Sequence, residues 1–258
     1  MRRTPIVGII GALLASTGLA ACGHAASGIG AGAVPSVSPS GPALTYVAIG
    51  ASETLGFGAD DPVRQGWTQV FYRTALPRAT TQVNLGIPGA TVQEALEREV
   101  PEARQLHPDV VTVWLNVNDL LEGVSPSAYE DQLRILLSDL RGNGGPTVLV
   151  ANTPPLDLLP RFVRCEPFAP SPRGGCDAAR RLTARELATL VDSYDVAVAR
   201  AATDEGAFVV DLHALGLAAQ RDGTEASLVS GDGFHPSTAG HLAVGLAFAS
   251  AYRAYRTG

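Results

Sequence analysis

A chain of 258 residues, 46% of them hydrophobic, can bury a sizeable core and has room for one large domain or two small ones. Its net charge of −6 is spread over many short stretches with no basic cluster, which excludes nucleic acid as a partner.

The first residues do not read as globular. Arg2 and Arg3 precede an apolar run from Ile6 to Leu19. That run is shorter than the roughly 20 residues a spanning helix needs, and it has the charged start and short apolar middle of a secretory signal. Leu19-Ala20-Ala21-Cys22 resembles a bacterial lipobox. The resemblance implies a signal peptide over 1–21, cleavage before Cys22 and lipid on its thiol, hence a membrane anchor on the outer face of the cell membrane; an ordinary secreted chain is the alternative. The residues after the paired arginines, Thr4-Pro5-Ile6, match a twin-arginine signal poorly. Residues 22–43 then read as the lipidated cysteine and a Gly, Ala, Ser and Pro tether, with a span on the order of 25 Å. Residues 44–258 are left for one α/β domain. With Cys22 lipidated, Cys165 and Cys176 form an even pair in an exported chain, and a disulfide between them is expected. Too few ligands surround them for zinc.

Within the domain, short apolar runs alternate with helical patterns. Leu44–Ile49 reads as a buried strand, Gly66–Leu76 as a helix, and Thr81–Leu85 as a second strand. Thr91, with Glu94 three residues on, caps a helix running to about Leu106. Pro108 ends it, and Asp109–Asn116 is a third strand. Ser125–Arg141 reads as a helix closed by Gly142, and Thr147–Asn152 as a fourth strand. A Pro-rich loop, a helix from roughly Asp177 to Glu205, a fifth strand at Phe208–Leu212 and a last helix at Thr238–Tyr255 complete the pattern. Near-continuous apolar strands between helices predict a parallel sheet covered on both faces, a flavodoxin-like three-layer α/β/α sandwich.

Active sites in such sheets collect at the carboxyl ends of the strands. There the sequence places Gly50-Ala51-Ser52-Glu53, Asn84-Leu85-Gly86, Asn116-Val117-Asn118-Asp119 and Asp232-Gly233-Phe234-His235-Pro236. In that order and spacing these segments resemble the blocks of the SGNH (GDSL-like) hydrolases, from Val47 to about His241. The resemblance implies an esterase that needs no metal or cofactor. Ser52 would be the nucleophile, His235 its base and Asp232 the acid that orients the base. The Ser52 N–H, the Gly86 N–H and the Asn118 amide would form the oxyanion hole. Chemistry agrees independently. A serine hydroxyl needs a base to take its proton, and His235 has a carboxylate three residues before it.

Two positions depart from the family pattern. Ala51 stands where the family has Asp, and Asn116 stands where it has Gly. Asn116 could narrow an acyl pocket or hydrogen-bond the substrate, and Phe234 could line that pocket. Glu53 reads as loop packing, His213 as a polar strand end and His241 as helix packing. Trp114 reads as core, while Trp67 and Phe57 are further candidates for a groove. Asp119 reads as a loop support or an alternative acid to Asp232. The substrate class is an ester of a small molecule, glycan or lipid, with oligomeric state left open. Two alternatives stay in play: a lipoprotein that binds a glycan or lipid without turnover, and an acyltransferase using the same acyl-enzyme.

Overall fold

Five strands whose side chains alternate between two apolar faces form one parallel sheet. β1 is Thr45–Gly50, β2 Thr81–Asn84, β3 Val110–Trp114, β4 Thr147–Ala151 and β5 Phe208–Val210. Their order is β2-β1-β3-β4-β5, that of the doubly wound flavodoxin-like sheet. The computed structural model describes residues 39–142, 144–163 and 182–257. Cys22, Cys165 and Cys176 lie outside the described residues, and so do the expected signal peptide, most of the tether and the expected disulfide.

Ten helices connect and cover the strands among the described residues. They are α1 Pro62–Gln65, α2 Trp67–Ala75, α3 Val92–Gln105, α4 Val117–Glu122, α5 Pro126–Arg141, α6 Pro160–Val163, α7 Ala184–Glu205, α8 Leu212–Arg221, α9 Glu225–Leu228 and α10 Thr238–Thr257. No described helix is long and apolar enough to cross a membrane.

The period of two along each strand sorts residues between the layers. Val47 and Ile49 of β1, with Val111, Val113, Val148 and Val150, pack under α3, α5 and α7. Tyr46, Ala48, Trp114 and Leu149 point the other way, toward α2 and α10. That second layer is aromatic. Trp67 stacks on Phe248 at 4.3 Å between centroids, and Phe71 meets Tyr46 edge-on at 5.0 Å.

Boundaries of the elements read from the sequence fall within a few residues; the short helices α1, α4, α6 and α9 were not read, and one longer element differs. The fifth strand stops at Val210 rather than Leu212, and an unanticipated helix, α8, begins there. Asp211 causes the switch, because its carboxylate accepts the Ala214 N–H at 2.9 Å and caps the new helix. His213 therefore sits in a helix's first turn. α7 is described from Ala184, where Thr183 and Glu186 form a reciprocal capping box.

One buried acid ties α3 to the end of β1. Glu99 is only 1% exposed, and its Oε2 accepts the Gly50 N–H at 2.8 Å. Burial pushes its carboxyl up to about 8, against the opposing pull of the Gly50 N–H. The folded protein thus holds a proton on Glu99 that the unfolded chain releases near ordinary carboxyl pKa. Its contribution is fully present at low pH and is lost as pH rises through about 8. Glu99→Gln keeps the acceptor and removes the titration. Thermal melts should show the variant gaining on the native protein as pH rises from 5 to 9. Each 1 kcal/mol of that gain should appear as about 2–4 °C. A difference that does not change with pH would mean that Glu99 is already ionised in the fold.

Candidate active site

Ser52 follows the end of β1 in a tight turn closed by backbone hydrogen bonds. The Ala51 carbonyl accepts the Thr54 N–H at 3.1 Å and the Leu55 N–H at 3.4 Å, and the Ser52 carbonyl accepts the Phe57 N–H at 3.1 Å. The hydroxyl sits nearly buried, with 8% of the residue exposed.

His235 reaches it from the opposite end of the chain. The segment before α10 turns back on itself, with Ser230 N–H bonded to the His235 carbonyl at 2.8 Å and Ser237 N–H to Leu228 at 2.9 Å. The two loops then meet at Gly58. Its φ is +94°, and a Cβ there would lie 2.2 Å from the Pro236 carbonyl and 2.9 Å from His235 Cβ. Asp60 and Thr238 fasten the contact, each bonded to the other at 2.9 Å.

Three of the sequence-predicted residues come together in a line. His235 Nε2 is 3.0 Å from Ser52 Oγ, and His235 Nδ1 is 2.5 Å from Asp232 Oδ2. A carboxylate on Nδ1 places the ring proton there and leaves Nε2 to accept from the serine hydroxyl. The other oxygen of Asp232 accepts from Ser230 Oγ at 2.7 Å, Phe234 N–H at 2.8 Å and His235 N–H at 3.0 Å. Partial burial pushes the Asp232 carboxyl up. The hydrogen bonds from His235, Ser230 and the two backbone N–H groups outweigh that and hold it at about 2. Asp232 is therefore a carboxylate throughout the ordinary pH range.

The three expected oxyanion donors differ in what they bond. The Ser52 N–H has no acceptor among the described residues. Asn118, at the start of α4, gives one N–H of its amide to the Ala90 carbonyl at 2.9 Å, and an amide has a second. The Gly86 N–H is turned to Asn84 Oδ1 at 3.0 Å in an Asx-type turn, while Asn84 Nδ2 donates to Thr54 O at 2.6 Å. A Cβ on Gly86 would lie 3.1–3.2 Å from Ala51 O, Asn84 Oδ1 and Thr54 Cβ, so any larger residue would have to displace these neighbours by a few tenths of an ångström. Asn84 was not singled out in the sequence, although an Asn two residues before a Gly at a strand end is the signal for such a turn.

The remaining candidates separate. Asn116 is not among the residues that line the cavity beside Phe234. It is 1% exposed, and its Nδ2 donates to Ala151 O at 3.2 Å, joining the ends of β3 and β4. Asp119 supports a helix rather than His235, since both its oxygens accept the Val92 N–H, at 3.1 and 3.2 Å, at the start of α3. Burial pushes Asp119 up to about 6 against that bond. Phe234 lies beside the His235 ring, centroids 4.9 Å apart, and lines a cavity below it. Phe57 is exposed, 5.8 Å from the same ring, and Trp67 is core. His241 is buried, accepts the Trp67 N–H on Nδ1 at 3.3 Å and so donates from Nε2 to Phe57 O at 2.9 Å. Burial holds it neutral, down to about 4. His213 pairs with Asp195 at 3.1 Å, away from Ser52, and not with Asp211. Among the described residues no group of three His, Cys, Asp or Glu is placed to hold a metal.

Glu53 was undervalued in the sequence. It is 8% exposed, and its Oε2 lies 3.4 Å from Ser52 Oγ, so the serine hydroxyl sits between an imidazole and a carboxyl. Burial raises the Glu53 pKa, with its own backbone N–H and the nearby His235 pulling the other way.

A GDSL-like lipase/acylhydrolase family model matches residues 48–243. Solved structures share the fold. An α/β hydrolase from the metagenome of Lake Arreo, Spain, is 22% identical with a TM-score of 0.57, covering 81% of this chain and 95% of its own. A lipase/acylhydrolase from Enterococcus faecalis is 20% identical with a TM-score of 0.59, covering 82% and 96%. A mutant of the acetyl-xylooligosaccharide esterase Axe2 from Geobacillus is 22% identical with a TM-score of 0.59, covering 81% and 94%. A comparison with curated protein sequences gives no match. The match over most of the domain, with its blocks gathered at one sheet edge, makes this chain a member of the GDSL-like (SGNH) lipase/acylhydrolase family.

Proposed function

We propose that this protein is a serine esterase that cleaves a carboxylic ester through an acyl-enzyme on Ser52. The observation that carries the reading is the unbroken line from Ser52 Oγ through the His235 ring to Asp232, at 3.0 and 2.5 Å. Ser52 Oγ attacks the ester carbonyl while His235 Nε2 takes its proton. Asp232, held ionised, stabilises the imidazolium so formed and fixes the tautomer. The tetrahedral oxyanion is met by the Ser52 N–H and the free N–H of Asn118. Gly86 joins them when the oxyanion shares or replaces the bond to Asn84. Collapse expels the alcohol, protonated by His235. A water activated by the same ring then hydrolyses the acyl-enzyme and releases the acid.

The lipobox-like Leu19-Ala20-Ala21-Cys22 supports an accompanying proposal, that the enzyme works outside the cytoplasm while anchored by lipid at Cys22. Cys22→Ala should move the protein from the membrane fraction to the soluble exported or precursor pool and abolish labelling by a fatty-acid probe. Persistent labelling would sink the anchor.

Hydrolysis of p-nitrophenyl esters tests the chemistry. Ser52→Ala and His235→Ala should each lower kcat by at least about 10⁴-fold. Asn118→Ala should lower it by about 10²–10³-fold, with little change in KM. Turnover that survives Ser52→Ala would overturn the serine mechanism.

A further inference from the structure

Among the described residues two titratable side chains meet Ser52 Oγ, the His235 ring at 3.0 Å and Glu53 Oε2 at 3.4 Å. The reaction derived above uses only the first. Glu53 follows the nucleophile directly in the serine turn and is nearly buried, lining an apolar cavity with Trp114, Val117, Leu156, Phe234 and Val244. β3, α4, the chain after β4, α8 and α10 give that wall no titratable side chain, and α9 gives it Glu225. From the turn before α10, His235 favours the Glu53 anion and Asp232 opposes it. Proton counting decides what the contact with serine is. A serine hydroxyl carries one hydrogen, and His235 Nε2 takes it, because Asp232 holds the ring proton on Nδ1. Only lone pairs of Oγ are then left for Glu53. The two oxygens can share a hydrogen bond only if the carboxyl supplies the hydrogen. An ionised Glu53 would set its own lone pairs against those of Oγ, or draw the serine hydrogen away from His235.

We propose that Glu53 is a further catalytic residue, a neutral carboxylic acid whose O–H donates to Ser52 Oγ and stabilises the charge that grows there as the acyl group departs. The inference rests on the esterase reading above and adds a residue to its second step. Apolar surroundings support it, since burial raises the Glu53 pKa and favours the uncharged form. In deacylation, water gives a proton to His235 Nε2 and its oxygen bonds to the acyl carbon. The bond from that carbon to Oγ then breaks. Oγ leaves with the electron pair and takes the proton back from His235. Glu53 keeps its own proton throughout and contributes only a hydrogen bond. A separation of 3.4 Å is long for such a bond, and catalytic hydrogen bonds of this kind tighten as charge develops. In acylation Oγ gives electron density to the carbonyl carbon, so the donor's help falls mainly on the second step.

The test is p-nitrophenyl acetate hydrolysis by the native protein, Glu53→Gln and Glu53→Leu, with rapid mixing to separate the first turnover from the steady state. Gln keeps a donor and cannot ionise, while Leu has no donor. Native kcat should fall on an alkaline limb, by about tenfold per pH unit, as Glu53 loses its proton, and Glu53→Gln should lack that limb. Glu53→Leu should lower kcat by about tenfold or more and KM with it, leaving kcat/KM little changed. Its acyl-enzyme should accumulate, seen as a burst of p-nitrophenol stoichiometric with protein. A residue that only packed would move neither the pH profile nor the balance of kcat against KM. The native limb is read without any variant, so a misfolded substitution does not remove the test. A native profile with no alkaline limb, the same limb in Glu53→Gln, or a Glu53→Leu that loses kcat/KM with no burst overturns the role of Glu53. Turnover that still depends on Ser52 then keeps the esterase reading in place. No turnover by the native protein would overturn the esterase reading itself, and the role of Glu53 with it.

Discussion

Ser52 and His235 are 183 residues apart in the chain, and the site depends on holding their side chains 3.0 Å from each other. No local interaction can do this. The distance is set by two loops, one leaving β1 and one entering α10, that must approach until backbone touches backbone. Gly58 permits that approach, since any Cβ there would strike the Pro236 carbonyl. The Asp60–Thr238 bonds close one side of the contact. His241 closes the other by bonding both Phe57 of the serine loop and Trp67 at the start of α2. This explains why a histidine with no reacting partner sits buried in α10. Neutral imidazole offers one donor and one acceptor on opposite sides of a flat ring, and here each meets a backbone group. Its contribution is present above ordinary histidine pKa and fades as pH falls through about 4.

The charges at the sheet edge divide by environment. Glu99, Asp119 and Glu53 are each buried with few donors, and burial pushes all three toward the protonated form. Asp232 lies in a part-exposed turn and gathers donors from Ser230, Phe234 and His235, so it alone is driven toward the anion. The Asp232 charge is thus placed on the side of the imidazole away from serine. Carboxyls with opposed environments are how a fold assigns distinct roles to one functional group. A second full charge from Glu53, next to the serine oxygen, would oppose the oxyanion that ester chemistry develops there.

Much of this was legible in the amino-acid sequence because it is local. Strands announced themselves by β-branched runs, and Thr91 and Ser125 by their positions before helical patterns. The four blocks could be ordered because each follows a strand, or precedes the last helix, in a doubly wound sheet. What was not legible is long-range or depends on a few degrees of backbone. Asp211 read as part of a strand, since only the structure shows its carboxylate turned back on Ala214 to begin α8. Glu99 carried no signal, because an acid within an amphipathic helix normally faces water. Asn116 read as a pocket residue from its place in the motif. In the fold its amide bonds to Ala151 on the neighbouring strand, a pairing no spacing within the motif could reveal.

The replacement of the family's usual acid by Ala51 has a physical answer in the same contacts. Ala51 is buried with the core layer under α3, where a charged side chain would need partners of its own. The serine turn does not need a side chain at that position. The Ala51 carbonyl holds the turn through Thr54 and Leu55, and the preceding Gly50 N–H is held by Glu99 from α3. The acid that supports the turn here stands on the helix that packs against it. It now meets the backbone from outside the loop, close to the protonated form that burial favours. Support for the Ser52 turn in this chain comes from packing and backbone geometry, with a hydrogen-bonding acid that burial drives toward its neutral form.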